Sequence, residues 1–498
     1  MITTILAHPA SAPAIRTPAA VVTYGELATR ITVLAHRLAA RGLGPERVCA
    51  LAVPRGVDAV VAMAAVLHTG AAFLSLDVEA PPARLSAMAT SAEAEFLLTT
   101  TGVTLDLALP RLDLDTPDPA WAPLPPVRPN ALAYVSHTSG STGTPNAVQI
   151  ERRSLESYLD FLVADYGLGP HTTCLQLAPQ GYDASIRDTL APLVAGGQLV
   201  LVPRSALLRP KEFAEVLTTH GVNTILSTTP SFLTAMSEVD LSRLSLVVSS
   251  GESLRPFLAA GGRGRVGGTL VNQYGPTECT MTTTRYRVPH NPDLSADRIG
   301  TPIDGAEIHL LDPRGDEVPD GTPGEIHIGG VGVARGYANN PELTATRFHP
   351  TTNTRLYRTG DQARRLPDGT LEYLGRLDRQ VKIRGYRVDP GEVEAALLRH
   401  PAITGAVVTA PVDDRGRVHL VAHITGGENT PDPALRAHLA ESLPPHLMPR
   451  RFSRLAELPR TPTGKADRKL LTGEAATAPL TAAVLGSTPP AASPEPVR

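Results

Sequence analysis

The first half of the chain alternates between apolar runs of strand length and segments with helical spacing. Apolar residues recur every three or four positions from Leu27 to Leu38, between the capping pattern Thr23-Tyr24-Gly25-Glu26 and Gly42, which predicts a helix. A continuous apolar run at 48–53 and the segment Phe73-Leu74-Ser75-Leu76-Asp77 predict strands, with a helix between them over 57–68. Strands that alternate with helices indicate a largely parallel sheet covered by helices.

The pattern changes twice toward the C-terminus. A second α/β segment is predicted from the apolar run at 131–135 to about residue 290. From 300 to 374, short strands separated by turn sequences predict a small β-barrel, and 378–471 reads as a smaller α+β unit. The predicted fold class is therefore α/β, with two α/β sheet subdomains and a small β-barrel followed by a small mobile α+β domain. The predicted domains are 1–377, 378–473 and an Ala/Pro-rich disordered tail at 474–498.

Composition narrows the classes of protein that the chain can belong to. The 498 residues carry a net charge of -3, which gives no sign of a nucleic-acid or membrane-surface partner. Pro, Gly or a charged residue interrupts every apolar run before it reaches the length of a membrane span, and the first ten residues lack the charged start of a signal peptide. Cys49, Cys174 and Cys279 are scattered, as expected for reduced thiols. These features predict a cytoplasmic protein.

One polar loop is the strongest candidate for chemistry. The predicted strand at 131–135 leads into Thr138-Ser139-Gly140-Ser141-Thr142-Gly143. Glycines let several backbone N–H groups converge on one point, and hydroxyls add further donors, so the loop suits a phosphate. A polar surface turn is the alternative. The loop lacks the Gly-Lys-Ser/Thr ending of a Walker loop.

An ordered series of segments between about residues 20 and 470 resembles the adenylate-forming superfamily, and most closely the amino-acid adenylation domains of nonribosomal peptide synthetases. The polar loop matches the phosphate loop of that superfamily. The other matching segments are 23–27, 70–77, 182–185, 251–254, 272–278, 324–337, 357–361, 375–387, 443–449 and 463–468.

This resemblance implies an AMP-forming ligase that uses ATP and Mg²⁺ to activate a carboxylate and release pyrophosphate. The phosphates would lie on the loop and on Thr277, and Mg²⁺ on Glu278. The resemblance assigns the nucleoside to the following residues: Gly251, Glu252 and Tyr274 at adenine, Asp361 at the ribose hydroxyls, and Arg376 near ribose and phosphate. A solvated surface carboxylate is the alternative for Glu278, and a turn-capping Asp is the alternative for Asp361.

The C-terminal segments match family segments that act at successive steps, first in adenylation and then in transfer to a thiol. Lys465 corresponds to the catalytic lysine, which bridges the substrate carboxylate and the ATP oxygens. Asp378 corresponds to the hinge about which the small domain is expected to rotate, bringing residues 382–386 to the site for transfer to a thiol. Gly385 would then allow a phosphopantetheine arm to approach closely. An exposed lysine and an ordinary linker Asp are the alternatives for these two positions.

The resemblance also indicates what kind of acid is activated. In amino-acid adenylation domains an Asp after an aromatic residue binds the α-ammonium group, and Asp183 follows Tyr182 here. A helix N-cap is the alternative role for Asp183. The remaining pocket wall, carried over by alignment, comprises Ala184, Arg187, Ser227, Val248, Ser250, Gln273, Met281 and Thr282. We expect a polar or acidic substrate side chain, with Arg187 as its ion partner.

Two departures leave alternatives open. Asn146 stands where the family loop usually carries Lys, and Ala147 where it carries Gly, which predicts a slower but active enzyme. A catalytically weakened relative that binds a ligand or partner is the alternative.

No carrier domain is recognised after Lys465, so the expected acceptor is a separate carrier protein. An acyl-CoA ligase or an amide-bond synthetase would use the same adenylate.

Overall fold

The computed structural model describes residues 1–116, 118–140, 143–350, 355–413, 417–461 and 466–473. The chain forms two compact units. The first comprises Met1–Gly140 and Thr144–Asp389, and the second comprises Gly143 together with the described residues from Pro390 onward. This division lies downstream of the predicted domain boundary at 377/378, and the position of the hinge stays a prediction.

The strands are numbered in chain order. They are β1 Pro13–Arg16, β2 Val21–Thr23, β3 Val48–Ala52, β4 Ala72–Ser75, β5 Ala94–Thr99, β6 Arg111–Asp113, β7 Leu132–Thr138, β8 Asn146–Glu151, β9 Thr173–Leu175, β10 Gln198–Val200, β11 Thr224–Thr228, β12 Leu246–Ser250, β13 Thr269–Tyr274, β14 Thr284–Arg287, β15 Arg298–Pro302, β16 Ala306–Leu311, β17 Gly324–Gly330, β18 Gly336–Tyr337, β19 Phe348–Pro350, β20 Arg355–Arg365, β21 Leu371–Arg376, β22 Val381–Ile383, β23 Tyr386–Val388, β24 Ile403–Thr409, β25 Val421–Gly426 and β26 Arg451–Arg454.

The α-helices are numbered in the same way. They are α1 Ile2–Leu6, α2 Tyr24–Ala40, α3 Val57–Thr69, α4 Pro82–Ser91, α5 Arg152–Tyr166, α6 Ala184–Val194, α7 Pro210–Thr219, α8 Pro230–Ala235, α9 Arg255–Ala259, α10 Pro341–Arg347, α11 Pro390–Leu398, α12 Asp432–Ala440 and α13 Arg468–Thr472.

The first unit contains a sheet in which fourteen strands are described. Its order is β16-β17-β20-β21-β15-β14-β13-β12-β11-β9-β10-β1-β2, with β19 paired to β20. The strands from β13 to β1 along this path run parallel, whereas those from β14 to β16 pair antiparallel. The predicted α/β class is confirmed. The small β-barrel is not confirmed, because the strands between 298 and 376 continue this large sheet.

A second sheet in the same unit has the order β18-β8-β7-β4-β3-β5-β6. Strands β3, β4, β5 and β7 are parallel neighbours, and every residue of β3 is buried. Parallel strands covered on both faces read as unbroken apolar runs, which is why the sequence shows the run at 48–53. The sheet also contains the antiparallel pair β7–β8, and the predicted phosphate loop connects these two strands.

Local sequence explains where helix α2 begins and ends. The Thr23 side chain accepts from the N–H of Glu26 while the Glu26 carboxylate accepts from the N–H of Thr23, so the predicted capping box is present. Leu27, Ile31 and Leu38 of α2 are fully buried, and the helix packs against α3. Gly42 follows with φ +85°, a left-handed conformation that suits glycine after a helix end.

The second unit is a small α+β fold. Its sheet has the order β24-β25-β26, antiparallel and then parallel, and α11, α12 and α13 belong to the same unit. Helix α12 has one buried face, which carries Leu435 and Leu439. Across all described residues of the chain, we find no helix with the length and apolar character needed to cross a membrane.

Candidate active site

The predicted phosphate loop begins where β7 ends. Thr138 and Ser139 are buried, and the Ser139 hydroxyl donates to the backbone oxygen of Arg387 at 3.0 Å and accepts from the N–H of Asp389 at 3.0 Å. A Cβ on Gly140 would lie 2.1 Å from the backbone oxygen of Thr144, so no larger residue fits there. Gly143 has φ +85°, whereas the predicted site residues Ser141 and Thr142 lie outside the described residues.

Glu278 lies in a short 3₁₀ turn, Thr277–Cys279, just after β13, and its side chain is 1% exposed. The guanidinium Nη1 of Arg387 donates to both carboxylate oxygens, at 3.1 and 3.0 Å, and the Tyr337 hydroxyl donates to one of them at 2.8 Å. Burial raises the pKa of the Glu278 carboxyl, but the positive charge of Arg387 and the hydrogen bonds to the carboxylate together outweigh it, so the pKa lies below its usual value. The alternative of a solvated surface carboxylate is therefore wrong.

The predicted adenine and ribose residues are in direct contact. The Tyr274 hydroxyl donates to Asp361 at 2.7 Å, and the Tyr373 hydroxyl donates to the same carboxylate at 3.1 Å. Arg376 donates to Asp361 at 2.8 Å and to both oxygens of Asp378 at 2.6 and 2.7 Å. Asp361 is buried at 3% exposure and is not a turn cap. Ribose binding at this carboxylate stays a prediction.

Gly251 and Glu252 follow the end of β12, beside β13. The Glu252 carboxylate accepts from the N–H of Ser231 at 2.9 Å, which fixes its position. Gly251 has φ +89°, and a Cβ there would lie 3.1 Å from the backbone oxygen of Gly385. Of the residues that were predicted to border adenine, Gly251 therefore lies against the turn of the β22–β23 hairpin, whereas Glu252 is held by the start of α8.

Asp183 occupies the N-cap position of α6, but its side chain makes no capping hydrogen bond to the helix. The alternative role of a helix N-cap is therefore wrong for the side chain. Burial raises the pKa of Asp183, and this effect outweighs the opposite effects of the Thr277 hydroxyl and the Arg187 charge. Glu278 is close enough to raise that pKa further. The predicted ammonium-binding carboxylate thus lies near the predicted metal and phosphate residues.

Arg187 lies one turn further along α6 and is 2% exposed. Its Nε donates to the Ser227 hydroxyl at 3.0 Å, and its Nη1 to the Tyr158 hydroxyl at 3.1 Å and to the Gln273 side-chain oxygen at 2.5 Å. Its Nη2 donates to no residue that the structure describes. The hydrogen-bond partners of this buried guanidinium are neutral, so it retains donor capacity, while the carboxylates of Asp188 and Asp183 act on its charge without a direct ion pair.

Three residues of the predicted pocket wall are hydrogen-bonded to this arginine, namely Ser227, Gln273 and Thr282. Ser250 on β12 is the register partner of Gln273 on β13, and the Gln273 oxygen also accepts from Thr282 at 3.1 Å. Ser227 on β11 donates to the backbone oxygen of Ala184 at 3.1 Å. Val248 and Met281 are buried apolar residues, and Met281 has φ +72°. The structure therefore joins Arg187, Ser227, Gln273 and Thr282 by hydrogen bonds.

The donor set at Glu278 fits a phosphate-bound Mg²⁺ ion. Within the described residues, no group of three or more His, Cys, Asp and Glu side chains could hold a metal by itself. Mg²⁺ usually keeps several waters and binds through one or two carboxylates together with substrate phosphates, so one buried carboxylate beside a phosphate loop is sufficient.

Three residues of this site had no role in the sequence prediction. Arg387 appeared there only as the end of a matching segment, and Tyr337 as the end of another, whereas Tyr158 lay in no motif. The signal for the first two was their position inside matched segments. Lys465, the predicted catalytic residue, lies outside the described residues.

Comparison with known proteins gives the family. Residues 4–338 match the family model described as AMP-binding enzyme, and 392–465 match the AMP-binding enzyme C-terminal domain. A relative from Streptomyces viridochromogenes, phosphinothricin tripeptide synthetase PhsC, is 37% identical over 92% of this chain and 43% of its own length. A dimodular nonribosomal peptide synthase from Bacillus subtilis is 36% identical over 90% of this chain and 20% of its own length. The chain therefore spans less than half of each of these relatives.

Solved structures agree with this result. Holo-PA1221, a nonribosomal peptide synthetase protein containing adenylation and PCP domains, superposes with a TM-score of 0.83 at 27% identity, covering 94% of this chain and 83% of its own. The amide bond synthetase McbA from Marinactinospora thermotolerans superposes with a TM-score of 0.82 at 25% identity, covering 95% and 98%. The chain belongs to the AMP-binding enzyme family, as an adenylate-forming, AMP-forming ligase of the nonribosomal peptide synthetase adenylation type.

Proposed function

We propose that the enzyme uses ATP to convert an amino acid to its aminoacyl-AMP, and then transfers the aminoacyl group to the thiol of a separate carrier protein. The observation that carries the amino-acid assignment is Asp183. Asp183 is half-buried, its side chain does not cap α6, and its pKa responds to the Thr277 hydroxyl and to the charge of Glu278. A carboxylate that is partly withdrawn from water is stabilised by a positive partner, and an α-ammonium group supplies one.

Arg187 supports a polar or acidic side chain on that amino acid. Its guanidinium is buried, its described partners are hydroxyl and amide oxygens, and its Nη2 retains two N–H donors. A carboxylate or amide oxygen on the substrate would use those donors, and a carboxylate would also compensate the charge. An apolar side chain would leave them unsatisfied.

The remaining residues act on ATP. Glu278 would hold Mg²⁺, which when bound neutralises charge on the phosphates. The Ser139 hydroxyl and the backbone of the phosphate loop donate to phosphate oxygens, and Asp361 accepts from the ribose hydroxyls. Lys465 brings an ammonium group to the substrate carboxylate and stabilises the charge that develops as the carboxylate oxygen attacks the α-phosphate.

The thiol acceptor rests on two supporting observations. The β22–β23 hairpin carries Gly385 against Gly251, and Gly385 has φ +84° at a position where a Cβ would lie 2.5 Å from Thr229 Cγ2. Such a glycine permits the close approach of a thin arm such as phosphopantetheine. PA1221, a similar structure, contains a PCP domain beside its adenylation domain. The likeness to McbA keeps amide-bond formation as the second candidate.

The test is ATP–pyrophosphate exchange over the proteinogenic amino acids, followed by intact-mass analysis of acceptors. We expect exchange with polar or acidic amino acids, and none with the des-amino analogue of the best substrate. Exchange with the des-amino analogue would reject the role of Asp183, and comparable exchange with leucine or phenylalanine would reject the role of Arg187. In the second step, mass gain on a holo-carrier protein supports thiol transfer, whereas an amide product formed with a free amine rejects it.

A further inference from the structure

Two tyrosines of helix α5 lie in the surroundings of Arg187, although α5 contributed no residue to the predicted pocket wall. Tyr158 is in the middle of α5, and Tyr166 is its last residue. The Tyr158 hydroxyl accepts from Nη1 of Arg187 at 3.1 Å, and the Tyr166 hydroxyl accepts from the amide nitrogen of Gln273 at 2.5 Å. Arg187, Gln273 and Tyr158 are each at most 3% exposed, so water competes little for these contacts.

The orientation of the Gln273 amide follows from its two neighbours. An arginine side chain can only donate hydrogen bonds, so Gln273 presents its oxygen to Arg187, 2.5 Å from Nη1. The amide nitrogen then points the other way, where the Tyr166 hydroxyl accepts from it. The Tyr166 ring packs edge-on against Phe161, with ring centroids 5.5 Å apart. The Gln273 oxygen is therefore held in place from both sides.

Four side chains form a closed ring in which each hydroxyl proton has one destination. The Thr282 hydroxyl donates to the Gln273 oxygen at 3.1 Å, which uses its only proton. The contact of 3.0 Å between the Tyr158 and Thr282 hydroxyls therefore uses the proton of Tyr158. Nη1 of Arg187 donates to both the Tyr158 and the Gln273 oxygens, which closes the ring. We call Arg187, Tyr158, Thr282 and Gln273 the Arg187 ring.

The Arg187 ring decides which nitrogen of the guanidinium is left for a ligand. The two protons of Nη1 go to Tyr158 and Gln273, with the Thr282 oxygen more distant at 3.4 Å, and the proton of Nε goes to Ser227. Nη2 carries the remaining protons and donates to none of the described residues. A substrate oxygen would therefore bind Nη2, in an orientation that the ring maintains.

We propose that Tyr158 is a positioning residue for substrate specificity, which holds Arg187 so that only Nη2 is available to the side chain of the amino acid. Without the Tyr158 hydroxyl, one proton of Nη1 loses its acceptor in a buried site, which is unfavourable. The guanidinium then turns toward another acceptor, and Nη2 loses its alignment with the substrate. This inference rests on the proposed role of Arg187 as the partner of the substrate side chain.

The test measures substrate preference in Tyr158→Phe. Pyrophosphate exchange is followed with leucine and with the fastest of aspartate, glutamate, asparagine and glutamine. We expect kcat/KM for the polar substrate to fall roughly tenfold relative to leucine, the effect of one lost hydrogen bond to a charged group. The change should lie in the KM for the amino acid, with kcat and the KM for ATP unchanged, because Tyr158 acts on side-chain binding alone. An unchanged substrate ratio overturns the proposal.

Tyr24→Phe is the matched control. Tyr24 is also a buried tyrosine, and its hydroxyl donates to the backbone oxygens of Leu193 and Gly197 at the C-terminal end of α6, the helix that carries Arg187. Loss of this hydroxyl should lower stability and leave the substrate ratio at its wild-type value. An equal fall of the ratio in Tyr24→Phe would show that any weakening of α6 alters specificity, and it overturns the proposal.

A double-mutant cycle distinguishes a ring from independent contacts. Thr282→Val removes the hydroxyl of the neighbouring member at nearly constant size, and it should lower the substrate ratio to a similar extent. Because either change opens the same ring, the double variant with Tyr158→Phe should show no further fall beyond the larger single effect. Single effects that multiply, or a wild-type ratio in Thr282→Val, overturn the proposal. Thr282→Val also keeps the test decisive if Tyr158→Phe does not fold.

The wild-type enzyme separates failure of this inference from failure of the proposed function. If it exchanges leucine as fast as the polar and acidic amino acids, the role of Arg187 is rejected, and the positioning role of Tyr158 with it. If it prefers the polar substrate and Tyr158→Phe keeps that preference, only the role of Tyr158 is rejected.

Discussion

The carboxylate of Asp361 and the guanidinium of Arg376 form a buried ion pair across the β20–β21 ladder, with Nη1 2.8 Å from Oδ1. The two residues are register partners, so the strand pairing itself brings the charges together. Asp361 also accepts from Tyr274 and Tyr373, which ties the predicted ribose residue to the predicted adenine residue. This pair therefore links fold stability to the nucleotide site.

We expect Asp361→Asn to lower the free energy of unfolding by about 1–3 kcal/mol, since it removes a charge from a buried hydrogen-bonded pair while Asp378 still pairs with Arg376. The KM for ATP should rise as well. Guanidinium denaturation and ATP-dependent pyrophosphate exchange measure the two effects. Asp368→Asn is the control, because Asp368 pairs with Arg298 at the exposed surface and its loss should change stability little. Equal stability of the two variants would contradict the expectation.

Lys465→Ala should reduce adenylation by roughly 10²–10³-fold, because one preorganised donor to the developing charge is lost. The measurement is pyrophosphate exchange with the best amino acid. Lys469→Ala is the matched control, an exposed lysine four positions further along the chain, and should exchange at the wild-type rate. Near-normal pyrophosphate exchange in Lys465→Ala would reject the assignment of Lys465 as the catalytic lysine.

Arg187→Gln should weaken kcat/KM for an acidic amino acid by roughly tenfold to a hundredfold, the effect of losing one charged hydrogen bond. The ratio of acidic to amide substrates should fall, because glutamine at this position can still donate to a neutral oxygen. Arg209→Gln on the exposed surface controls for the change in net charge. A substrate ratio that does not move in Arg187→Gln would reject the ion pair.

The raised pKa of Asp183 predicts that the KM for the amino acid depends on pH. Burial raises the pKa of Asp183 above the usual value of an Asp, so its negative charge is lost at a higher pH than in an exposed carboxylate. Since only the ionised form pairs with an ammonium group, the KM for the amino acid should rise as the pH falls through that pKa. The profile of kcat/KM against pH measures this effect in the free enzyme. Asp183→Asn should show a high KM without this acidic limb, and an identical limb in that variant would assign it to another group.

Asn146→Lys should raise the rate of pyrophosphate exchange by roughly threefold to tenfold, because a cation beside the phosphates adds a charge-assisted contact. Asn146 begins β8, and its register partner is Thr138 at the start of the predicted phosphate loop. The variant Ala147→Gly restores the other family residue without adding charge and is the control. A rate that is unchanged or lower in Asn146→Lys would show that this loop works without a cation at that position.

Local sequence was sufficient for the elements whose signals lie within a few residues. The capping box at Thr23 and Glu26, the buried run in β3 and the glycine at 42 all appear where the pattern predicted them. The nucleotide and phosphate residues came from matched segments, each of which is recognised from consecutive residues of the chain. Such features depend on neighbours in the chain, which a sequence displays directly.

Pairings between distant segments were not visible in the sequence. The strands after Arg298 read as a separate barrel, yet β15 joins β14 and continues the large sheet. The ion pair of Arg387 with Glu278, and the neutral oxygens around Arg187, join residues far apart in the chain.

The sequence by itself determined which side chains are available for binding and catalysis, because motif order and local periodicity can be read without knowledge of the fold. Only the tertiary structure decided which of those groups are already engaged. The Asp183 side chain makes no capping bond to its helix, the Nη2 of Arg187 donates to none of the described residues, and Glu278 is held by Arg387. These states depend on distances and burial, which arise when strands remote in the chain pack against one another.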